Sequence, residues 1–396
     1  MSASYARLLR IPHARRTFAA ALLGRLSYGV VPLSVMLAVT RASGSYTVAG
    51  AVMALFGVTA VFLAPWRAAL IDRHGPRRAL VPLLAAYTAL LGLLAAAVWR
   101  PGAPPYVLGA LTALAGAVVP PLGPAMRTVW ATLAEDRPLL QRAYSLDGIA
   151  EELLFLTGPL LVGALVTVAP PAAGILAGAL LVGAGTAGFV ASPVVRTIRP
   201  AAPTARRGTG ERGVLRRIGR PVGAVTGVGL AIGSLDLLVV AFADRHGHGG
   251  ASVAWVLAAV SAGSAVGGLL HGAVGWRGPA GTRLVLLTLG LGLALLGAGL
   301  APGLGTLAVV MAVAGFFVSP AVTTAYLIAD EIVGPEVRTR AGAWVNTAVN
   351  AGSTAGTAAA GALAGHLPVA VCFAATGVAV VLTALAAAAK GAAPAG

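Results

Sequence analysis

The chain has 396 residues, 58% of them hydrophobic and only 10% charged, with a mean hydropathy of +0.88. Soluble globular chains carry about 25% charged residues, so a water-soluble multidomain protein is excluded and a polytopic membrane protein is implied. The formal net charge of +16 raises nucleic acid as a partner, but the Arg residues fall in short segments between apolar runs. Charge placed that way is a topology signal and an attraction to anionic headgroups, and no nucleic-acid partner is expected.

Taken in order, the apolar runs predict twelve membrane-spanning helices. Six lie near residues 17–40, 46–70, 79–99, 105–131, 142–168 and 171–195, and six near 221–243, 251–275, 283–301, 304–329, 339–365 and 368–389. The first run contains Arg25 and is too long for the ~7 to 15-residue apolar region of a cleavable signal. The sole cysteine, Cys372, lies in the last run and allows no intrachain disulfide. With both termini inside, 24 Lys and Arg residues fall in inner segments, against Arg41, Arg100 and Arg245 outside and Arg25 within a span. That bias predicts cytoplasmic termini in a plasma (bacterial inner) membrane.

The longest polar stretch, Arg196 to Arg220, holds eight Arg with Pro200, Pro203, Gly208, Gly210 and Gly213. This is the composition of a flexible cytoplasmic linker, with a surface helix expected near Glu211 to Gly219. The chain therefore divides into an N-terminal six-helix half (1–195), a basic linker (196–220) and a C-terminal six-helix half (221–396). An internal repeat supports the division. A shift of 204 residues pairs Gly29 with Gly233, Arg73 with Arg277 and Leu80 with Leu284, and a shift of 198 pairs Arg142-Ala143 with Arg340-Ala341 and Gly158 with Gly356.

Between the second and third spans stands Asp72-Arg73-His74-Gly75-Pro76-Arg77-Arg78, with Arg67 just upstream. These charges cannot be buried in lipid, and the four Arg positions mark the loop as cytoplasmic. The run Ala68 to Leu80 resembles the signature Gly-x-x-x-Asp-Arg-x-Gly-Arg-Arg/Lys of the major facilitator superfamily, with Ala68 in place of the first Gly and Pro76 in place of an Arg. Its counterpart in the second half, His271 to Leu284, has Trp276 where Asp72 stands. The resemblance implies an all-α fold of twelve transmembrane helices in two pseudo-symmetric six-helix halves, which rock about a central cavity. It implies that Asp72 is a conformational latch, in a loop turned at Gly75. Candidate partners are Arg73, Arg77, Arg78 and Arg127, and the docking end is the stretch Pro335 to Arg340. It also implies that the first, fourth, seventh and tenth helices line the cavity, which places Arg25 and Asp236 there.

Four carboxylates fall within apolar spans or at their inner margins, where a charge costs at least ~2.5 kcal/mol. Asp147 and Glu151 share a helix face at a spacing of four, and Glu152 is about 100° further round. Three carboxylates in under two turns repel when ionised, so they are either proton carriers or partners of nearby Arg residues such as Arg127 and Arg142. Asp236 lies mid-way along the seventh span, facing Pro32 by the repeat, and either serves the cavity or bonds a Ser or Thr. Arg25 either snorkels to the inner headgroups or meets an anion, from another helix or from the substrate. Asn346 and Asn350 share a face of the eleventh span and suit either substrate or interhelical hydrogen bonds. Gly158-Pro159 resembles a degenerate form of the Gly-Pro signature of drug antiporters, without the following Gly-Gly. Asp244-x-His246-x-His248 has metal-like spacing on an outer loop but is read as a plain loop, and no metal is expected.

These features predict a secondary transporter, a proton-coupled exporter of small hydrophobic or amphipathic compounds, because a mostly apolar chain with few fixed polar groups suits adaptable recognition. One rival is a proton symporter importing an organic anion, with Arg25 as counter-charge. Another is a non-transporting protein of the same fold, a sensor or lipid enzyme. No Ser/His/Asp set or Gly-rich phosphate loop appears, so neither an enzyme nor ATP drive is expected, and the proton motive force replaces any cofactor. Expected partners are a small-molecule substrate, protons and the bilayer, with the chain a monomer.

Overall fold

The computed structural model describes residues 5–198, 200, 211–247, 250–276, 278–364 and 366–392. In these stretches the chain is helical: α1 (Tyr5–Arg10), α2 (Ala14–Ser43), α3 (Tyr46–Phe62), α4 (Ala64–His74), α5 (Pro76–Trp99), α6 (Pro105–Val118), α7 (Leu122–Leu133), α8 (Arg137–Val166), α9 (Pro171–Ala191) and α10 (Pro193–Thr197). After the linker follow α11 (Glu211–Arg245), α12 (Gly250–Ala273), α13 (Ala280–Ala298), α14 (Leu304–Ile332), α15 (Arg338–Ala364) and α16 (Val369–Ala392). The expected helix near Glu211 is the first turns of α11, where Val214 and Ile218 are buried. Residues 201–210 lie outside the described stretches.

Local chemistry sets the ends. Pro stands in the first turn of α4, α5, α6, α8, α9 and α10, where its missing N–H has no intrahelical acceptor to lose. Ser45 and Asp136 cap α3 and α8 by accepting from the N–H groups of Val48 and Leu139. Gly75, at φ +80°, makes the reversal between α4 and α5 in a region that other residues rarely enter.

Ten described spans are long and apolar enough to cross a membrane, with α6 and α7 taken together as one, or eleven if the bent pair α3 and α4 is added as one span. The eleventh expected span, α15, has 27 residues but carries Asn346, Thr347, Asn350, Ser353, Thr354 and Thr357. It is too polar to face lipid alone, and it packs against α4, α7, α11 and α14. The second and fourth expected spans are interrupted. α3 and α4 meet at Leu63 with a bend of 41°, and α6 gives way to α7 at Val119-Pro120-Pro121. Hydrophobicity runs straight through both breaks, and the prolines are what stop the helices.

The halves repeat one packing scheme. α2 packs on α8, α3 on α6 and α5 on α9, while their counterparts α11, α12 and α13 pack on α15, α14 and α16. The repeated glycines mark the closest approach. A Cβ on Gly158 of α8 would stand 2.5 Å from the carbonyl carbon of Gly29 on α2, and one on Gly356 of α15 would collide with the Leu230 carbonyl of α11. One apolar core runs through the C-terminal half and continues into the N-terminal half through Ile71, Ala125, Met126, Leu139 and Tyr144. These residues flank the Asp72 loop. The other end of the N-terminal half has a separate core around Val35, Leu91 and Ile175, so the halves are fused at the Asp72 end.

Candidate functional site

Between the halves lies a cavity of about 550 Å³, walled by apolar side chains such as Phe56, Ile232, Leu257 and Val318. Of the residues singled out in the sequence, Arg127, Glu151, Glu152, Asp236, Asn346 and Asn350 line it. Arg25 and Asp147 do not. Arg25 is 1% exposed and Asp147 fully buried, packed behind the wall.

The two are held in a four-membered ion cluster. The Arg25 guanidinium lies 2.6 Å from Asp147 Oδ1 and 2.9 Å from Glu151 Oε2, while Arg127 lies 3.2 Å from Asp147 Oδ2 and 2.8 Å from Glu151 Oε2. Two cations and two carboxylates sum to zero, and the repulsion expected along α8 is answered by Arg residues from α2 and α7. Arg25 therefore neither snorkels nor offers its charge to a substrate. Arg127 also lies 3.8 Å from the ring centroid of Tyr326 on α14, a cation–π contact that ties the cluster to the other half.

Two cavity carboxylates stand apart from this cluster. Glu152 accepts a hydrogen bond from Ser264 of α12, across the two halves. Asp236 is exposed to the cavity, and among the described residues it has neither an ion pair nor a hydrogen bond. The repeat pairs Asp236 with Pro32, and both line the cavity. The Asn346 side chain lies at the edge of hydrogen-bonding distance from the Tyr326 hydroxyl, at 3.5 Å, and Asn350 donates to the backbone carbonyl of Asn346.

Beyond the cavity, the Asp72 end is sealed. The Asp72 carboxylate accepts from the backbone N–H groups of Thr339 and Arg340, at 3.2 and 3.0 Å. These are free donors at the start of α15, where the helix dipole also favours an anion. The docking end is the one the sequence motif implies, with backbone amides donating to the carboxylate; Arg127 is committed to the ion cluster, and Arg77 and Arg78 are exposed. Arg73 also lies at the exposed surface of the loop. Thr128 bonds Thr339, and Arg137 forms a bidentate pair with Glu331.

The second half seals with the opposite polarity. Where Trp276 replaces the acid, the carbonyls of His271 and Ala273 at the end of α12 accept from Gln141 and Arg142 of α8. Arg142, a candidate partner for the α8 carboxylates, thus bonds a main-chain atom of the other half instead, and nothing in the sequence marks Gln141, whose acceptor is a main-chain atom 130 residues away.

Arg67 does not sit in the loop with Arg73, Arg77 and Arg78, as its place in the sequence suggests. It is 4% exposed, lines the cavity at the α3/α4 break, and donates to main-chain carbonyls of both interrupted helices. The only sequence cue is Pro65 two residues earlier. On the outer loop, His246 stacks on Phe242 with ring centroids 4.2 Å apart, and His248 lies outside the described residues. No group of three metal-ligating side chains occurs among the described residues.

Two helical halves around a central cavity, sealed at one end, and the long apolar helices define a polytopic membrane protein with the major facilitator fold. Comparisons with known proteins agree. A sequence model described as the Major Facilitator Superfamily matches residues 222–394. The chain is similar in structure to a bacterial homologue of the iron transporter ferroportin in its outward-facing state, at 12% identity and TM-score 0.76, over 96% of this chain and 99% of that one. It is similar to the human organic anion transporter MFSD10 (TETRAN), at 14% identity and TM-score 0.73, over 94% and 98%. It is also similar to the transporter FucP in its outward conformation, at 14% identity and TM-score 0.69, over 97% and 99%. At these identities the likeness is one of fold. A search of curated protein sequences finds no match to this chain.

Proposed function

We propose that this protein is a secondary transporter of the major facilitator superfamily that exports small amphipathic compounds by alternating access, driven by protons. The observation that carries the reading is the charge balance of the cavity. The Arg25, Arg127, Asp147 and Glu151 cluster cancels itself, which leaves Glu152 and Asp236 as carboxylates with no basic partner among the described residues. A carboxylate in a largely apolar cavity gains by holding either a proton or a cationic group of the substrate, and competition between the two is the elementary step of exchange. The apolar walls suit the rest of an amphipathic molecule.

On this reading the Arg-rich loops and both termini face the cytoplasm of a plasma or inner membrane, and the sealed Asp72 end makes the conformation outward-facing. The boundaries 1–195, 196–220 and 221–396 are taken as the two moving halves and their linker, with a single chain as the working unit. The organic-anion symport alternative loses its counter-charge, since Arg25 is paired twice.

The test uses purified protein in liposomes with an imposed pH gradient of either sign. Tetraphenylphosphonium and a matched amphipathic anion are followed by ion-selective electrode or radiolabel. Export by exchange predicts gradient-driven movement of the cation, abolished by Glu152→Gln or Asp236→Asn. Movement of the anion with protons would favour symport, and no gradient-dependent movement of any probe would refute the proposal.

A further inference from the structure

Arg67 is a buried cation facing the cavity, and among the described residues no carboxylate pairs with it. Instead it bridges two broken helices. One terminal nitrogen donates to Gly116 and Ala117 at 3.1 and 3.2 Å, in the last turn of α6, and the other donates to Ala60 at 2.6 Å, in the last turn of α3. The last carbonyls of a helix have no partner within it, and each C-terminus carries about half a negative charge. Two such ends balance one guanidinium, which explains how Arg67 stays charged here without an acid and why it is not free to recruit an anionic substrate.

The element that Arg67 belongs to is α4, eleven residues bent by 41° from α3. Its far end carries Asp72 on the start of α15, and beside its near end the Val61 carbonyl accepts from Thr347 of α15. α4 thus spans from the cavity wall to the latch, and Asp72 lies about 7.5 Å along its axis from Arg67.

We propose that Arg67 is a positioning residue for transport: by clamping the ends of α3 and α6, it fixes the direction in which α4 leaves the break, and so holds Asp72 against α15. The inference rests on the alternating-access reading. Because α4 is a short separate helix, its direction depends on this clamp rather than on an unbroken hydrogen-bond ladder from α3.

The experiment reads the seal directly and needs no transported solute. Ser145 is fully buried between the halves, its side chain against Gly272 of α12. In a Cys372→Ala background, Ser145→Cys is labelled with a polar maleimide in detergent, alone and with Asp72→Asn, Arg67→Gln, Arg67→Lys or both neutral changes together. The expected result is that Arg67→Gln and Asp72→Asn each raise the labelling rate at least fivefold, that the double variant exceeds the larger single by less than twofold, and that Arg67→Lys recovers most of the protection. Multiplying effects would mean that Arg67 acts independently of the latch, and an Arg67→Gln rate equal to the parent's would mean that it does not hold the seal; either overturns the proposal. In parallel, labelling of native Cys372, buried in α16, should stay negligible in Arg67→Gln. If Cys372 reacts as well, the variant has unfolded and Arg67 is a fold residue only. If Asp72→Asn itself leaves Ser145→Cys protected, the latch reading fails, whatever Arg67 does.

Discussion

Asp147→Asn separates a structural ion cluster from a proton carrier. Asp147 is fully buried and makes two contacts, 2.6 Å to Arg25 and 3.2 Å to Arg127. Removing one member of a buried ion pair costs about 3 to 5 kcal/mol, because the partner is left charged and unpaired. Here Glu151 remains within 2.9 and 2.8 Å of both guanidiniums and answers one of the two positive charges. The cost should therefore fall near the low end, about 3 kcal/mol. Arg25→Gln combined with Asp147→Asn removes one charge of each sign and leaves Arg127 with Glu151, so at least half of that loss should return. The assay is thermal unfolding in detergent by intrinsic Trp fluorescence, with size-exclusion profiles as a check on dispersity. Glu152→Gln, which breaks no ion pair, should melt within error of the parent. A stable Asp147→Asn variant, or a double variant as unstable as the single, would refute the structural assignment and return Asp147 to the list of proton carriers.

Asp72→Asn keeps an acceptor for Thr339 and Arg340 but loses its charge on the α15 dipole, a loss of about 1 kcal/mol. This should shift the balance of conformations roughly fivefold toward the state open at the loop end, seen as faster labelling of an introduced cysteine there. Gly158→Ala should lower the melting temperature through a forced shift of α2 from α8, about 1 to 3 kcal/mol, whereas Gly163→Ala, with nothing within 4 Å of its added Cβ, should not. Gln141→Leu removes the donor that reaches the His271 carbonyl of α12 from the other half, leaving only Trp276 of the same half on it, and should open the same seal as Asp72→Asn, measured by the same labelling.

The legible parts of the fold were those written in runs of residues. Apolar stretches placed the helices, and the resemblance carried by the loop around Asp72 pointed to the start of α15, where the carboxylate docks. Within the site, the four-residue spacing placed Asp147 and Glu151 on one face. Their partners depend on how α2 and α7 pack against α8, and Arg25 is 122 positions from Asp147. The breaks at Leu63 and Val119 were hidden because apolar residues continue through them, and only Pro65 and Pro120-Pro121 announced them. An unbroken span put Arg67 at its inner end, just upstream of the loop, when it belongs in the cavity wall.

Proton release on probe addition tests the central claim most directly. Tetraphenylphosphonium is added to purified protein in weakly buffered detergent, with the parent compared against Glu152→Gln and Asp236→Asn. The account predicts that the parent releases protons as the cation binds and that at least one of these neutral variants abolishes the release. Binding without any proton release, or release unchanged in both variants, would contradict it.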